Sequence, residues 1–140
     1  MSATGRKKAG KKAKRGGGRF DFFPTPAAAV DAFLAEVSLP GGVWLEPAAG
    51  AGGIIRAVNA RRVDVRWDAV EIRASARRAL LELQPQAIHI ENFLRWKPPC
   101  RYAVAITNPP FKLTMAFLEK MLGLADYVVL LQRVGFLETP

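Results

Sequence analysis

Asn108-Pro109-Pro110-Phe111 follows directly on the apolar run Tyr102–Thr107, so strand-like residues deliver a rigid turn. Each proline lacks an N–H, fixes its own φ and pushes the residue before it out of the helical region, which holds Asn108 and Pro109 extended. The Asn108 side-chain oxygen and the Pro109 main-chain oxygen can then converge on one point, with Phe111 as a flat apolar face beside it. Such a site suits a planar amino group. The lone pair of a conjugated amine, such as the exocyclic amine of adenine, is delocalised into its ring. Two acceptors bonded to its hydrogens draw the nitrogen toward tetrahedral geometry and stabilise the positive charge that grows as it attacks a methyl carbon. No strong base is then needed. Alone, the tetrapeptide is equally an ordinary proline turn.

A second group lies upstream. Val43-Trp44-Leu45-Glu46, then Pro47-Ala48-Ala49-Gly50-Ala51-Gly52-Gly53, then Ile54-Ile55-Arg56-Ala57-Val58 reads as strand, small-residue turn and helix. Small residues let the backbone pass close to a ligand, and the helix presents unpaired N–H groups to it. The spacing is not GxGxxG, and an unrelated α/β domain can carry the same turn. Asp68-Ala69-Val70-Glu71-Ile72 ends the next apolar stretch with Glu71, 25 positions after Glu46 (71 − 46), where α/β nucleotide folds place a carboxylate for ribose hydroxyls. By itself Glu71 is also a solvated acid at a strand end. Taken in order, the three features converge on the crevice outside the carboxyl ends of successive strands.

On these residues the chain resembles the S-adenosylmethionine-dependent amino methyltransferases, whose signature is Asp/Asn/Ser-Pro-Pro followed by an aromatic residue. Phe20-Asp21-Phe22-Phe23-Pro24-Thr25-Pro26 is similar to the Tyr/Phe-Pro-Thr-Pro segment of the phage- and prophage-type DNA adenine methyltransferases. The resemblance implies a catalytic turn of Asn108, Pro109, Pro110 and Phe111. It implies S-adenosyl-L-methionine as cofactor, its amino-acid end against Phe23, Pro24 and Thr25, and its remainder held by the Glu46, Pro47, Ala48, Gly50 and Gly52 turn and by Glu71. Glu91-Asn92-Phe93-Leu94 stands where relatives show Asp-Phe-Leu, so Asn92 takes the adenine-holding position without a charge, and Glu91 is the substitute. The reaction implied is methyl transfer to the exocyclic amine of adenine in DNA. Other amino acceptors, in RNA or a protein glutamine, stay open, as do a catalytically silent binding remnant and a purely electrostatic DNA-binding protein. Thr25 also reads as a helix cap before Pro26.

The positioning elements alternate. Helices are expected at about 26–36, 53–61, 74–83 and 114–122, and strands at 43–46, 66–71, 87–90, 102–107 and Tyr127–Leu131. This pattern predicts an α/β fold, a mostly parallel Rossmann-like methyltransferase sheet truncated after the fifth strand. Family members continue into further strands, so the resemblance implies an uncovered fifth strand whose edge takes a protein partner or a second copy of the chain. A prophage-derived fragment or one part of a split enzyme fits equally.

One domain accommodates 140 residues that are 50% hydrophobic. No apolar run reaches the ~18 residues of a membrane span, so no membrane partner is expected and the protein is predicted to be cytoplasmic. One cysteine, Cys100, excludes an internal disulfide and a cysteine-based metal cluster. His89, the one histidine, falls in a strand and reads as a solvent-facing or satisfied core residue. Residues 1–19 hold eight Lys/Arg and no acid, against 13 basic and 12 acidic residues in the remainder. The reading is a disordered basic tail (1–19) before a methyltransferase domain (20–140), the tail binding DNA through phosphates, although a merely solubilising extension has the same composition. Eight phosphate contacts give a salt slope near −7, from about −0.9 each.

Overall fold

Strands that are apolar on both faces require a sheet covered on both sides. The computed structural model of the chain describes residues 24–132 and shows that arrangement. Its elements run α1 (Ala27–Glu36), β1 (Gly42–Glu46), α2 (Gly53–Asn59), β2 (Val65–Glu71), α3 (Arg77–Glu82), β3 (Ala87–Ile90), β4 (Tyr102–Thr107), α4 (Thr114–Leu122) and β5 (Ala125–Leu130). The sheet order is β3-β2-β1-β4-β5, and every neighbouring pair is parallel.

Alternate residues of each strand point to opposite faces. Trp44, Trp67, Ala69, Val104 and Ile106 therefore pack with Val30, Ile55, Val58 and Leu80 from the first three helices. Leu45, Val70 and Ala105 face the other way, against Phe117 and Met121 of α4 and Phe93 and Trp96 of the segment after β3. Trp44 and Trp67, opposite each other in register, meet edge to face at 5.6 Å. On the second face Tyr102 donates to the buried Asp68 carboxylate at 2.6 Å, and Gln86 Nε2 donates to its other oxygen at 3.2 Å.

Four local expectations change. The helix expected over 74–83 divides into a 3-10 turn, Ala74–Ala76, and α3, which stops where Gln84 adopts φ 50 ahead of Pro85. β5 begins at Ala125, not Tyr127, because Tyr102 N–H takes the Leu124 carbonyl and aligns Tyr102 with Ala125. Thr25 does not cap α1. Pro26 is the N-cap, with no side-chain cap bond, and its carbonyl accepts from Ala29 and Val30. His89 is half-buried, its ring 4.9 Å from that of Trp96, and its buried Nε2 has no hydrogen-bond partner among the described residues, so it is neither solvent-facing nor, among them, satisfied.

Candidate active site

The order of the strands reverses beside β1: β2 and β3 lie on one side, β4 and β5 on the other. Such a switch point opens a crevice at the carboxyl ends of the strands. A cavity of about 340 Å³ lies there, at the lower end of the range of small-molecule sites. Its wall is built from the turns that leave β1, β2, β3 and β4.

The turn after β1 approaches closely because Gly50 and Gly52 take φ of 55° and 87°. A side chain at Gly52 would be strained, with its Cβ 2.3 Å from Leu83 Cδ1. The turn is fastened to β2 at two points: Ala49 N–H donates to Val70 O at 3.0 Å, and Gly50 N–H donates to Glu71 Oε2 at 2.6 Å. Glu71 Oε1 accepts from Arg73 N at 3.1 Å and Arg73 Nε at 2.9 Å. A carboxylate has about four acceptor positions, so three are filled by the protein.

Glu46, the last residue of β1, lies on the cavity wall yet is 1% exposed. Its Oε2 accepts from Ala48 N–H at 3.1 Å, whereas Oε1 is buried with no partner among the described residues. Burial, with a smaller contribution from the Glu71 charge, pushes the Glu46 carboxyl up to about 8, so it is protonated at neutral pH. The Thr107 hydroxyl and Ala48 N–H act in the opposite direction, but Thr107 Oγ1 does not complete a hydrogen bond of good geometry.

The cavity brings together Pro24, Thr25, Pro47, Ala48, Gly50, Glu71 and Asn92 with Glu46, and adds Asn108 and Pro110 from the turn after β4. Phe23 lies outside the described residues. Gly52, Pro109 and Phe111 are not on the wall. Gly52 shapes the turn from behind as the N-cap of α2. Pro109 is buried, and its carbonyl accepts from Gln132 Nε2 at 3.3 Å, leaving one of its two lone pairs. Phe111 opens a 3-10 turn and stands 44% exposed. Asn92 Oδ1 accepts from Leu94 N–H at 3.0 Å, so the oxygen expected to hold an adenine amine also closes the protein's own turn.

The wall includes residues that sequence reasoning did not select. Arg56 of α2 and Arg73 after β2 bring cations to it, and Phe93 and Phe117 bring rings whose centroids are 4.9 Å apart. Arg56 and Arg73 adjoin motifs already recognised, whereas nothing local marks Phe117, one of several apolar residues in α4. Among the described residues no cluster of His, Cys, Asp or Glu suits a metal ion, and no helix is long and apolar enough to cross a membrane.

No protein-family model and no curated protein matches the chain. Solved structures do. The 23S rRNA methyltransferase ErmE superposes with a TM-score of 0.64 at 19% identity, over 82% of this chain and 49% of that one. The modification subunit of a provisionally assigned type I restriction enzyme from Vibrio vulnificus YJ016 gives 0.56 at 19%, over 81% and 35%. The plantazolicin methyltransferase BpumL, solved in complex with a monoazolic desmethylPZN analog and SAH, gives 0.58 at 13%, over 78% and 48%. The fold is therefore the Rossmann-like methyltransferase fold, and the chain spans half or less of the length of these three proteins.

Proposed function

We propose that this chain transfers a methyl group from S-adenosyl-L-methionine to the exocyclic amino group of adenine in DNA. The observation that carries the reading is that Asn108 and Pro110 share one cavity with Glu46, Gly50 and Glu71 at the switch point of this fold. The cofactor supplies a methyl group made electrophilic by its sulfonium. BpumL, of the same fold, was solved with SAH, which supports that choice.

Each residue then has a task. Glu46 Oε1, buried and lacking a partner, accepts from the cofactor's ammonium, a cation that draws the carboxyl into its ionised form. Glu71 holds the ribose through its remaining acceptor position. Asn108, on the cavity wall, takes one hydrogen of the target amine, and the Pro109 carbonyl, which accepts from Gln132 in this structure, is the acceptor for the other once that bond is exchanged. Phe111, exposed beside them, offers a face for a base drawn out of its stack. With the cofactor bound, these acceptors would stabilise the positive charge that grows on the amine nitrogen, and its surplus proton would pass to solvent. Orientation and charge stabilisation supply most of the rate gain.

The substrate class rests on charge. Of 21 Lys and Arg, eight lie within residues 1–19, and Pro24 and Thr25, a few positions later in the sequence, are on the cavity wall. We take DNA as the partner of that basic segment, and the edge of β5 as the place for a protein partner or a second copy. Similarity in fold to a 23S rRNA methyltransferase favours RNA as the second reading. Labelled S-adenosyl-L-methionine, incubated with DNA, RNA and protein pools, tests both. Label in the N6 of DNA adenine upholds the proposal, label confined to RNA selects the second reading, and label in no pool refutes both.

A further inference from the structure

Lys120 belongs to α4, the helix that follows the Asn108–Phe111 turn, yet its ammonium serves a different part of the chain. Its Nζ donates to Phe93 O at 2.5 Å and also to Trp96 O. The same Nζ stands 4.9 Å from the Phe93 ring centroid. The segment it grips is one tight turn after β3: Asn92 O accepts from Arg95 N and Trp96 N, both at 2.9 Å, and Asn92 Oδ1 accepts from Leu94 N. Carbonyls at the end of such a turn lack partners within it, and a lysine ammonium can cap them. The packing repeats this link, because the Phe93 ring packs at a tilt against that of Phe117, one turn before Lys120 on α4.

Asn92 and Phe93 form one flank of the cavity, and Asn108 and Pro110 lie at the start of the polypeptide that becomes α4. We propose that Lys120 is a positioning residue: by clamping the 92–96 turn onto α4 it sets the distance between the cofactor-facing flank and the amine-accepting turn. The inference deepens the methyltransferase reading and rests on it. A cation held half-buried against carbonyls carries a desolvation cost, which lowers the lysine's proton affinity. An exposed lysine on a solvated helix face bears no such cost, so the placement is one that packing alone does not require.

The test compares Lys120→Met and Lys120→Arg with the parent by calorimetry with S-adenosyl-L-methionine and by amide hydrogen exchange. Methionine keeps the stem and removes the donors, so cofactor affinity should fall about tenfold or more, as expected when charged hydrogen bonds are lost. The Arg95 and Trp96 amides should exchange faster while those of β1 and β4 keep their protection. Arginine reaches the same carbonyls and should restore affinity to within about threefold. Parental affinity in the methionine variant, or faster exchange spread evenly over the strands, overturns the proposal. If the methionine variant does not fold, Lys120→Leu, which also removes the donors, takes its place under the same criteria. A parent that binds no cofactor refutes the methyltransferase reading instead. Exchange then still decides whether Lys120 holds the turn.

Discussion

Glu46→Gln is the perturbation that most directly tests the chemistry assigned to the cavity. The Glu46 carboxyl lies near 8 in the folded chain against an ordinary 4.5, because burial disfavours its charge. Between those two values the unfolded chain has lost the proton and the folded chain keeps it. The folded state thus binds more protons, and stability must fall as pH rises through that window. The slope approaches about 1.4 kcal/mol per pH unit, and the whole span, (8 − 4.5) pH units, is worth on the order of 5 kcal/mol. Glutamine has no proton to lose. Urea unfolding of the ligand-free protein from pH 5.5 to 7.5 should show the parent losing roughly 2 to 3 kcal/mol relative to Glu46→Gln. Cofactor binding adds a second readout. If an ammonium stabilises the carboxylate, then at pH 7 nearly one proton is released from Glu46 on binding, visible by calorimetry in buffers of different ionisation enthalpy and absent from the variant. Parallel pH profiles for the two proteins would refute both the buried neutral acid and the role built on it.

Asn108→Ala should abolish methyl transfer while leaving cofactor affinity within about threefold, measured by label incorporation and calorimetry; transfer at the parental rate would remove Asn108 from the mechanism. Gly52→Ala places a Cβ at φ 87 and against Leu83, and is expected to cost about 1 to 3 kcal/mol in urea unfolding. Tyr102→Phe removes the 2.6 Å donor from buried Asp68 and should destabilise by roughly 1 to 3 kcal/mol without changing cofactor affinity. Removing residues 1–19 should flatten the dependence of DNA affinity on salt from a log–log slope near −7 toward zero; an unchanged slope would move the phosphate contacts elsewhere.

The sheet was legible in the sequence because the strands are short and largely apolar, and several are marked by glycine or an acid at their ends, as in Gly42–Glu46 and Val65–Glu71. β3 and β4 begin and end where the pattern places them. Less was legible where a neighbour decides. The start of β5 follows from the bond between Tyr102 and Leu124, and α3 stops at a backbone torsion before Pro85. The site divides in the same way. Small-residue turns and strand-end acids announce themselves locally, and the residues from Glu46 to Gly50 and Glu71 selected on that ground line one cavity. Phe93, Phe117 and Lys120 act through contacts across 24 to 27 positions, which no window on the chain contains. Pro109 and Phe111 mark the limit of motif reasoning: the turn is recognisable, but its lining side chain is Pro110, while Pro109 turns its carbonyl to Gln132 and Phe111 stands outside.

Among the described residues three buried side-chain atoms lack a hydrogen-bond partner: Glu46 Oε1, Thr107 Oγ1 and His89 Nε2. Buried polar groups are ordinarily satisfied, so each such exception calls for a cause. Two of the three terminate β1 and β4, the adjacent strands between which the sheet order reverses, and both are almost completely removed from solvent. A hydroxyl can turn its proton toward a neighbouring carboxylate, and Thr107 acts on Glu46 in that sense by favouring ionisation. Without a cation beside them Glu46 is a neutral acid and Thr107 an idle hydroxyl, whereas a cation in the cleft would produce a carboxylate with both a charge partner and a donor. Packing alone would have been better served by two apolar side chains at these positions. Glu46 lines the cavity at the switch point, where a neutral acid beside a hydroxyl suits a positively charged occupant, such as one that carries an ammonium and a sulfonium.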